Sequence, residues 1–375
     1  MSQSPSSSPT AHADQIHQLA QNAGFALVQI GPIQTAQRPD YIRQWLAQGS
    51  HGQMNYLAEN LPLRLNPQQL LPDAKTIICV ADVYPAHSLP STKKQHPPRG
   101  RIARYAWGKD YHITIKKRLH QLADQLKQHW PQHQYRSAVD TAPILEREQA
   151  AGAGVGWVGK NTMLIHPRLG SWTLLGEILT TLEVMTQPNT SHPITTDHCG
   201  TCTRCLDACP TQCLQPYQMN AQACISYLTI EHRGLIPKPM HTHLGDWLAG
   251  CDVCQEVCPF NQPHRLQRLQ YSGETHPLSS IPALYQPGPA AEGFDLLEIL
   301  NWDEQARSKA LQNSALKRIK LPQFKRNALI LAGNYLAKHP STSHPLYQRV
   351  LALAADPSEG QLVNQTARQV LEQLA

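Results

Sequence analysis

Cys199-Gly-Thr-Cys-Thr-Arg-Cys-Leu-Asp-Ala-Cys-Pro210 and, further on, Cys251-Asp-Val-Cys-Gln-Glu-Val-Cys-Pro259 decide how the middle of this chain folds. The first run has the x2, x2, x3-Cys-Pro spacing of bacterial two-cluster iron–sulfur proteins. Short gaps wrap three thiolates around one 4Fe–4S cubane, and the x3-Cys-Pro step sends the fourth to the other cluster. Structural zinc uses CxxC pairs in a tetrahedral site and leaves the third Cys and the trailing Pro without a purpose. The first run offers four thiolates and the second three, which makes seven, whereas two clusters need eight. Cys213 and Cys224 are the candidates for the eighth. Cys213 lies just past Cys209 across the turn at Pro210. Cys224 opens a helical segment, Cys224-Ile-Ser-Tyr-Leu-Thr-Ile-Glu231, that would hold a thiolate in one direction, and it is the better choice. The swap then gives one cluster Cys199, Cys202, Cys205 and Cys258, and the other Cys209, Cys224, Cys251 and Cys254. Cys213 and Cys79 are read as buried bystanders.

Working outward, every cysteine except Cys79 lies at or beyond Cys199. No run approaches the roughly 18 apolar residues of a membrane helix. Met1–Asp14 is Ser/Pro-rich, without a basic or an apolar leader region, and reads as a disordered tail rather than a secretory signal. A cytoplasmic, reducing setting is expected, where clustered cysteines do metal or redox work. Each oxidised cluster with four thiolates carries formally about −2. The net charge of +6 would fall to about +2 on loading, so it says little about partners.

The fold class expected is α+β, in three parts behind the tail. Residues 15–190 alternate helical and strand signals and read as an α/β ligand-binding domain. Phe25–Ile30, Thr76–Val83, Tyr135–Val139 and Trp172–Val184 are strand candidates, while His112–Trp130 and Ala142–Ala151 are helical. Residues 191–265 form the ferredoxin-type part. Residues 290–375 are helical, and Asn327–Asn334 and Asp356–Leu371 resemble degenerate HEAT-type paired helices.

Several further stretches carry a resemblance. Arg104-Tyr-Ala-Trp-Gly-Lys-Asp-Tyr-His112, Asp140-Thr-Ala-Pro-Ile-Leu-Glu-Arg147, Gly156-Trp-Val-Gly-Lys-Asn-Thr-Met163 and Gly170-Ser-Trp172 with Leu175-Gly-Glu177 join the two cysteine runs. In content and order they are similar to the epoxyqueuosine reductases, from about Arg64 to Asn261, and the C-terminal helices fit that family's HEAT-like end. The resemblance implies an oxidoreductase that uses cobalamin and electrons relayed by two 4Fe–4S clusters. Its reaction reduces the epoxide of epoxyqueuosine at the tRNA wobble position to the alkene of queuosine, the last step of queuosine biosynthesis. Two electrons and two protons are consumed and water leaves. The implied partners are tRNA carrying epoxyqueuosine and an external electron donor, with no membrane; nothing points to an obligate interface, so a monomer is expected. The absence of an Asp-x-His-x-x-Gly signature agrees with base-off cobalamin.

The same resemblance assigns Asp140 as proton donor. An ordinary Asp titrates near 3.9, so that role requires burial, an apolar corrin face or both to raise its pKa. Asp140 also stands where a helix cap would stand. Arg64, Ala103, Asp140, Leu164, Ser226 and Asp252 are the matching cobalamin-binding positions. Lys160 and Asn161 follow a glycine-rich stretch, and His112 is read as structural rather than as a cobalt ligand.

For RNA, two intervals lack acidic residues. Val83–Lys109 holds Lys93, Lys94, Arg99, Arg101, Arg104 and Lys109; Gln305–Ala355 holds Arg307, Lys309, Lys317, Arg318, Lys320, Lys325, Arg326, Lys338 and Arg349. Such segregation suits phosphate contact, though a solvated basic face has the same composition. Lys317, Arg318 and Lys320 are the main tRNA-binding candidates, with Arg147 and Arg233 nearer the chemistry. Of the rival functions, a reductive dehalogenase shares cobalamin and two clusters, but its usual twin-arginine export signal has no counterpart in Met1–Ile30, which contains no arginine. A plain two-cluster electron-transfer protein would not need the long segment before Cys199, and a non-catalytic RNA-binding protein would not need eight cluster ligands.

Overall fold

Thr76–Val83 is the axis of the N-terminal half. Rich in Val and Ile, it is buried along its whole length, as a strand must be when both faces of its sheet are covered. The structure, a computed structural model, describes residues 9–84, 98–184, 197–262 and 285–375, with side chains from His12 onward. Its main sheet is built from β1 (Leu27–Pro32), β2 (Thr76–Val83), β3 (Tyr135–Ala138) and β4 (Thr173–Thr180), in the order β1-β2-β4-β3. Every pairing in it is antiparallel. The N-terminal part is therefore α+β rather than the α/β arrangement expected from alternating signals. Alternation along the chain does not fix strand direction when crossovers are this irregular.

Helices α1 (Pro9–Asn22) and α2 (Tyr111–His129) cover one face. Ile16 and Ala20 of α1 and Ile115, Leu119, Leu122 and Leu126 of α2 pack on Ile78, Val80 and Ile178. The opposite face meets α3 (Glu146–Gly152), where Ala150 joins Ile77, Cys79 and Leu179. Because side chains alternate along a strand, Glu177, which pairs with both Cys79 and Ala138, lies on the α3 face. The tail expected over 1–14 is corrected from Pro9 onward, where α1 begins; residues 1–8 lie outside the described residues. The helix expected from Ala142 starts only at Glu146, since Asp140 takes a positive φ and Pro143 follows it.

The second core belongs to no single segment. Ile225, Leu228 and Ile230 of α4 (Ile225–Ile230), Leu248 and Phe294 pack with α5 (Leu321–Lys338), α6 (Pro345–Ala355) and α7 (Gln361–Leu374). The cysteine segment has too few apolar residues to bury alone, and the C-terminal helices supply the rest. Arg326 of α5 is wholly buried and donates to the carbonyls of Leu228 (2.7 Å), His232 (2.6 Å) and Gly234 (2.7 Å). Asn327 adds bonds to Thr229 and Leu248 carbonyls. Among the described residues no helix is long and apolar enough to cross a membrane.

Candidate active site

Just beyond β3 the chain turns sharply at Asp140, whose φ of 41° is left-handed and costs a non-glycine residue about 1–2 kcal/mol. Two contacts hold it there. Its backbone N–H donates to the Glu146 carboxylate, and its own carboxylate accepts from His112 Nε2 at 2.8 Å. His112 sits in the first turn of α2, capped by Asp110, which accepts the His112 amide at 3.0 Å and its Nδ1 at 2.7 Å. An imidazole with a carboxylate on each nitrogen is a donor at both and therefore an imidazolium. Burial opposes its charge, yet the bonds to Asp110 and Asp140 outweigh that and raise its pKa to about 9. Tyr111 stacks on the His112 ring at 4.0 Å, and Tyr105 meets Tyr111 edge-on.

Burial pushes the Asp140 carboxyl up, but the hydrogen bond and charge of His112, then Arg318, pull it below the usual carboxylate range. These bonds favour the anion at Asp140 and the proton on His112. Arg64 is buried nearby, and its Nε–H has no acceptor. Its pKa is lowered by burial, against the charges of Tyr56, Glu146 and Asp140.

The thiols fall into two neighbourhoods. Cys199, Cys202, Cys205 and Cys258 feel one another. Cys209, Cys224, Cys251 and Cys254 form the second set, and Cys254 also feels Cys205, so the sets adjoin. Cys224 is the N-cap of α4 and Asp252 the N-cap of the short helix Val253–Glu256. Burial pushes Cys251 up to about 12 and Cys258 to about 11, so their thiolates need iron to form, and iron binding releases protons. Cys79 is fully buried in β2, away from both sets. Cys213 is also buried, but its sulfur lies 3.5 Å from that of Cys209 and hydrogen-bonds Cys224. It is a neighbour of the second set rather than an unrelated core residue.

Lys160 Nζ donates to the carbonyls of Gly200 (2.6 Å) and Cys202 (3.1 Å), and Asn161 Nδ2 to that of Cys254 (3.3 Å). The glycine-rich loop thus clamps both cysteine runs onto the N-terminal half. Asp252 is buried and its carboxyl is pushed up to about 6 by burial; it accepts the Arg104 amide at 2.8 Å. Tyr105 feels both Asp140 and Asp252 and so lies between the proton site and the second thiol set. Ala103 is buried against Gly250, whose φ of 76° and missing Cβ allow the approach, since a Cβ there would lie 2.5 Å from that of Ala103. Ser226 is half-buried in the first turn of α4 beside Cys224. Leu164 is an apolar member of the core on the α3 face.

A 4Fe–4S double cluster binding domain matches residues 198–261, and the description epoxyqueuosine reductase QueG, DUF1730, matches residues 64–141. The epoxyqueuosine reductase of Pseudomonas aeruginosa is 33% identical over 94% of this chain and 92% of its own length. The chain belongs to the epoxyqueuosine reductase family. The Escherichia coli epoxyqueuosine reductase is 34% identical over 86% of this chain and 81% of its own. A crystal structure of epoxyqueuosine reductase with an epoxyqueuosine-modified tRNA-Tyr stem loop superposes with a TM-score of 0.77, at 26% identity, over 98% of this chain and 99% of that one. The Bacillus subtilis epoxyqueuosine reductase, with its catalytic Asp loop swung out of the active site, gives 0.75 at 25% identity over 98% and 99%.

Placed in this epoxyqueuosine reductase fold, the basic residues divide. Lys317 and Lys320 are exposed, whereas Arg318 pairs with Glu231 at 2.6 Å and reaches the Asp140 site. Arg147 donates to the Thr162 carbonyl at 2.5 Å, and Arg233 is exposed. Lys325 is buried on Glu359, Arg307 pairs with Glu304 and Arg349 with the Leu300 carbonyl. With Arg326, these hold the fold, so the acid-free interval is only partly a surface for phosphate. Lys93 and Lys94 lie outside the described residues. Sequence reasoning missed the roles of His112, Glu146 and Glu177; only Glu177, a lone charge in the apolar run Thr173–Thr180, carried a signal.

Proposed function

We propose that this chain reduces epoxyqueuosine to queuosine in tRNA, with Asp140 and His112 handling the protons. The observation that carries the reading is the Asp110–His112–Asp140 chain, set beside two adjoining sets of cluster thiols. The cluster ligands are those of the swap, Cys199, Cys202, Cys205 and Cys258 for one and Cys209, Cys224, Cys251 and Cys254 for the other. They relay single electrons from an external donor. Cobalamin, when bound, supplies the strongly reducing centre that meets the epoxide carbon.

The lining fits such a planar, amide-fringed group. Arg64 keeps a buried, unpartnered Nε–H suited to a propionamide. Tyr105 and Tyr111 offer aromatic surface, and Asp252, Ala103, Leu164 and Ser226 complete the proposed contacts. At neutral pH His112 is charged and Asp140 ionised. Covering the exposed side of Asp140 with an apolar ligand makes two separated charges more expensive. The proton then moves from His112 Nε2 to the Asp140 carboxyl, which stands ready to protonate the epoxide oxygen as its carbon–oxygen bond breaks. Two electrons and two protons convert the epoxide to alkene plus water. Asp110 keeps the imidazole oriented throughout. Lys317 and Lys320, with Arg147 and Arg233 closer in, position the RNA through phosphate contacts. The C-terminal helices are read as a HEAT-like grip, and a cytoplasmic monomer suits a tRNA substrate.

The test is anaerobic reconstitution with iron, sulfide and cobalamin, followed by nucleoside analysis of epoxyqueuosine-tRNA. Queuosine formation is expected; intact epoxyqueuosine from fully loaded protein would defeat the reading.

A further inference from the structure

Among the described residues Glu177 is the most anomalous side chain. It is fully buried on β4, on the sheet face formed by Cys79, Ala138, Ile144 and Leu164. Neither of its carboxylate oxygens has a hydrogen-bond donor. An unpaired buried carboxylate costs several kcal/mol, too much for the ionised form to persist alone. The charged group that acts on it most strongly is the carboxyl of Glu146, the first residue of α3. Two carboxylates facing each other in an apolar enclosure are both acceptors, and only a proton between them makes a bond.

The outer side of Glu146 matters as well, since it takes the backbone N–H of Asp140. That amide belongs to a residue held at positive φ, so an acceptor on it helps to fix the loop. We propose that Glu146 and Glu177 share a single proton and act as positioning residues for Asp140, Glu177 bracing Glu146 so that Glu146 can hold the Asp140 loop inward. The inference rests on the functional reading above and deepens it.

The surrounding charges agree with a pair that keeps one proton at neutral pH. Asp140 faces both glutamates from the loop, Arg147 faces Glu146 from the same helix, and Arg64 feels Glu146 from its own short helix. Tyr111 feels Glu146 from α2, and the Cys79 thiol lies across the sheet from Glu177. Burial, then the Asp140 charge, push Glu146 up to about 7, and burial with Glu146 pushes Glu177 further up. The pair gives up its second proton near pH 7, and the single shared proton remains above that because Glu177 is held further up. Only when that last proton leaves do two buried negative charges repel and the brace open. His112, which loses its proton only near pH 9, is a separate event.

The experiment uses the full-length, cluster-loaded protein. Glutamate-carboxyl 13C NMR should show two coupled resonances stepping together near pH 7, and E177Q should abolish the step. In turnover with epoxyqueuosine-tRNA, wild-type kcat should hold through pH 7 and fall only once the pair loses its last proton. E177L should lower kcat at pH 6 by at least about tenfold with little change in KM. E177Q, whose amide donates to Glu146 without a proton to lose, should recover most of that loss and keep only the fall near pH 9. Wild-type resonances showing both carboxyls ionised at pH 6, or E177Q protein that retains the NMR step near pH 7, would overturn the proposal. So would E177L with wild-type kcat; if E177L fails to fold, the NMR step and E177Q decide. A wild type that shows the NMR step but makes no queuosine defeats the functional reading and leaves the shared proton standing.

Discussion

The cysteine-rich middle and the Asp140 site solve opposite problems. In the middle, function is carried by residues close in sequence, such as Cys199, Cys202 and Cys205, and the surrounding chain is held by remote groups: Arg326 from α5 and Lys160 from the glycine-rich loop. At the proton site the working groups themselves are remote, with His112, Asp140 and Glu177 on three different elements of one sheet and its covering helices. The difference teaches where each kind of chemistry tolerates error. A thiolate bonded to iron defines its own geometry once the spacing is right, whereas a proton shared over a hydrogen bond needs its partners delivered by a rigid scaffold.

The sharpest way to break the comparison is to remove one thiol from each region. Cys251→Ala should halve the iron bound per chain and lower kcat by more than about a thousandfold, or about 4 kcal/mol of barrier. Cys79→Ala, in the sheet under the proton site, should leave the iron content alone. Iron and sulfide analysis checks both. Next, Asp140→Asn should keep both clusters and lower kcat by about 10²–10³-fold, the range for a lost general acid; wild-type turnover would remove Asp140 from the chemistry. Arg326→Met tests whether the middle depends on its distant brace. Truncating a buried ionic donor costs about 3–5 kcal/mol, so denaturant unfolding and cluster loss should shift together.

A smaller effect is expected at His112. His112→Gln should lower kcat by about tenfold, less than the loss of a general acid itself, because the amide still donates to Asp140. It should also remove the fall in activity near pH 9. The sign follows from a folded pKa of about 9 above the ordinary 6.5: the charged form, and the stability it brings, is complete below about pH 6.5 and lost as pH rises through 9. A His112→Gln profile identical to wild type would contradict the assignment. Smallest of all, Lys317→Glu with Lys320→Glu should weaken tRNA binding several-fold and flatten its salt dependence. Titration at two salt concentrations reads this, and unchanged binding would take these residues out of the interface.

How much could be read beforehand follows the same division. The cysteine spacing pointed to two clusters, and a 4Fe–4S double cluster binding domain matches that segment; the partition of eight ligands remains part of the proposal. Thr76–Val83 was legible to the residue, because its Ile, Cys, Val and Ala positions mark a buried strand, even with Asp82 inside it. Strand direction was not, because nothing local in Leu27–Pro32 or Thr173–Thr180 records which way a neighbour runs. Cys213 was misjudged since spacing measures distance along the chain, and the turn at Pro210 folds its sulfur back onto Cys209. The basic interval misled in a similar way: Lys325 and Arg326 look like surface cations in one dimension, yet α5 is buried on nearly every side. Asp140 was found through a motif, but its charge state was not. The deciding neighbour, His112, comes from another helix, and a hydrogen bond between two elements leaves no periodicity.

Arg326 also sets an order of events during synthesis. The carbonyls it satisfies at Leu228, His232 and Gly234 leave the ribosome well before Arg326 does. At 5–20 residues per second the delay is on the order of ten seconds. By the end of that interval every cysteine has been made, yet the helix that closes their core has still to emerge. The cysteine segment is therefore the last part of its own core to be roofed, and its backbone carbonyls stay with water until Arg326 takes them over.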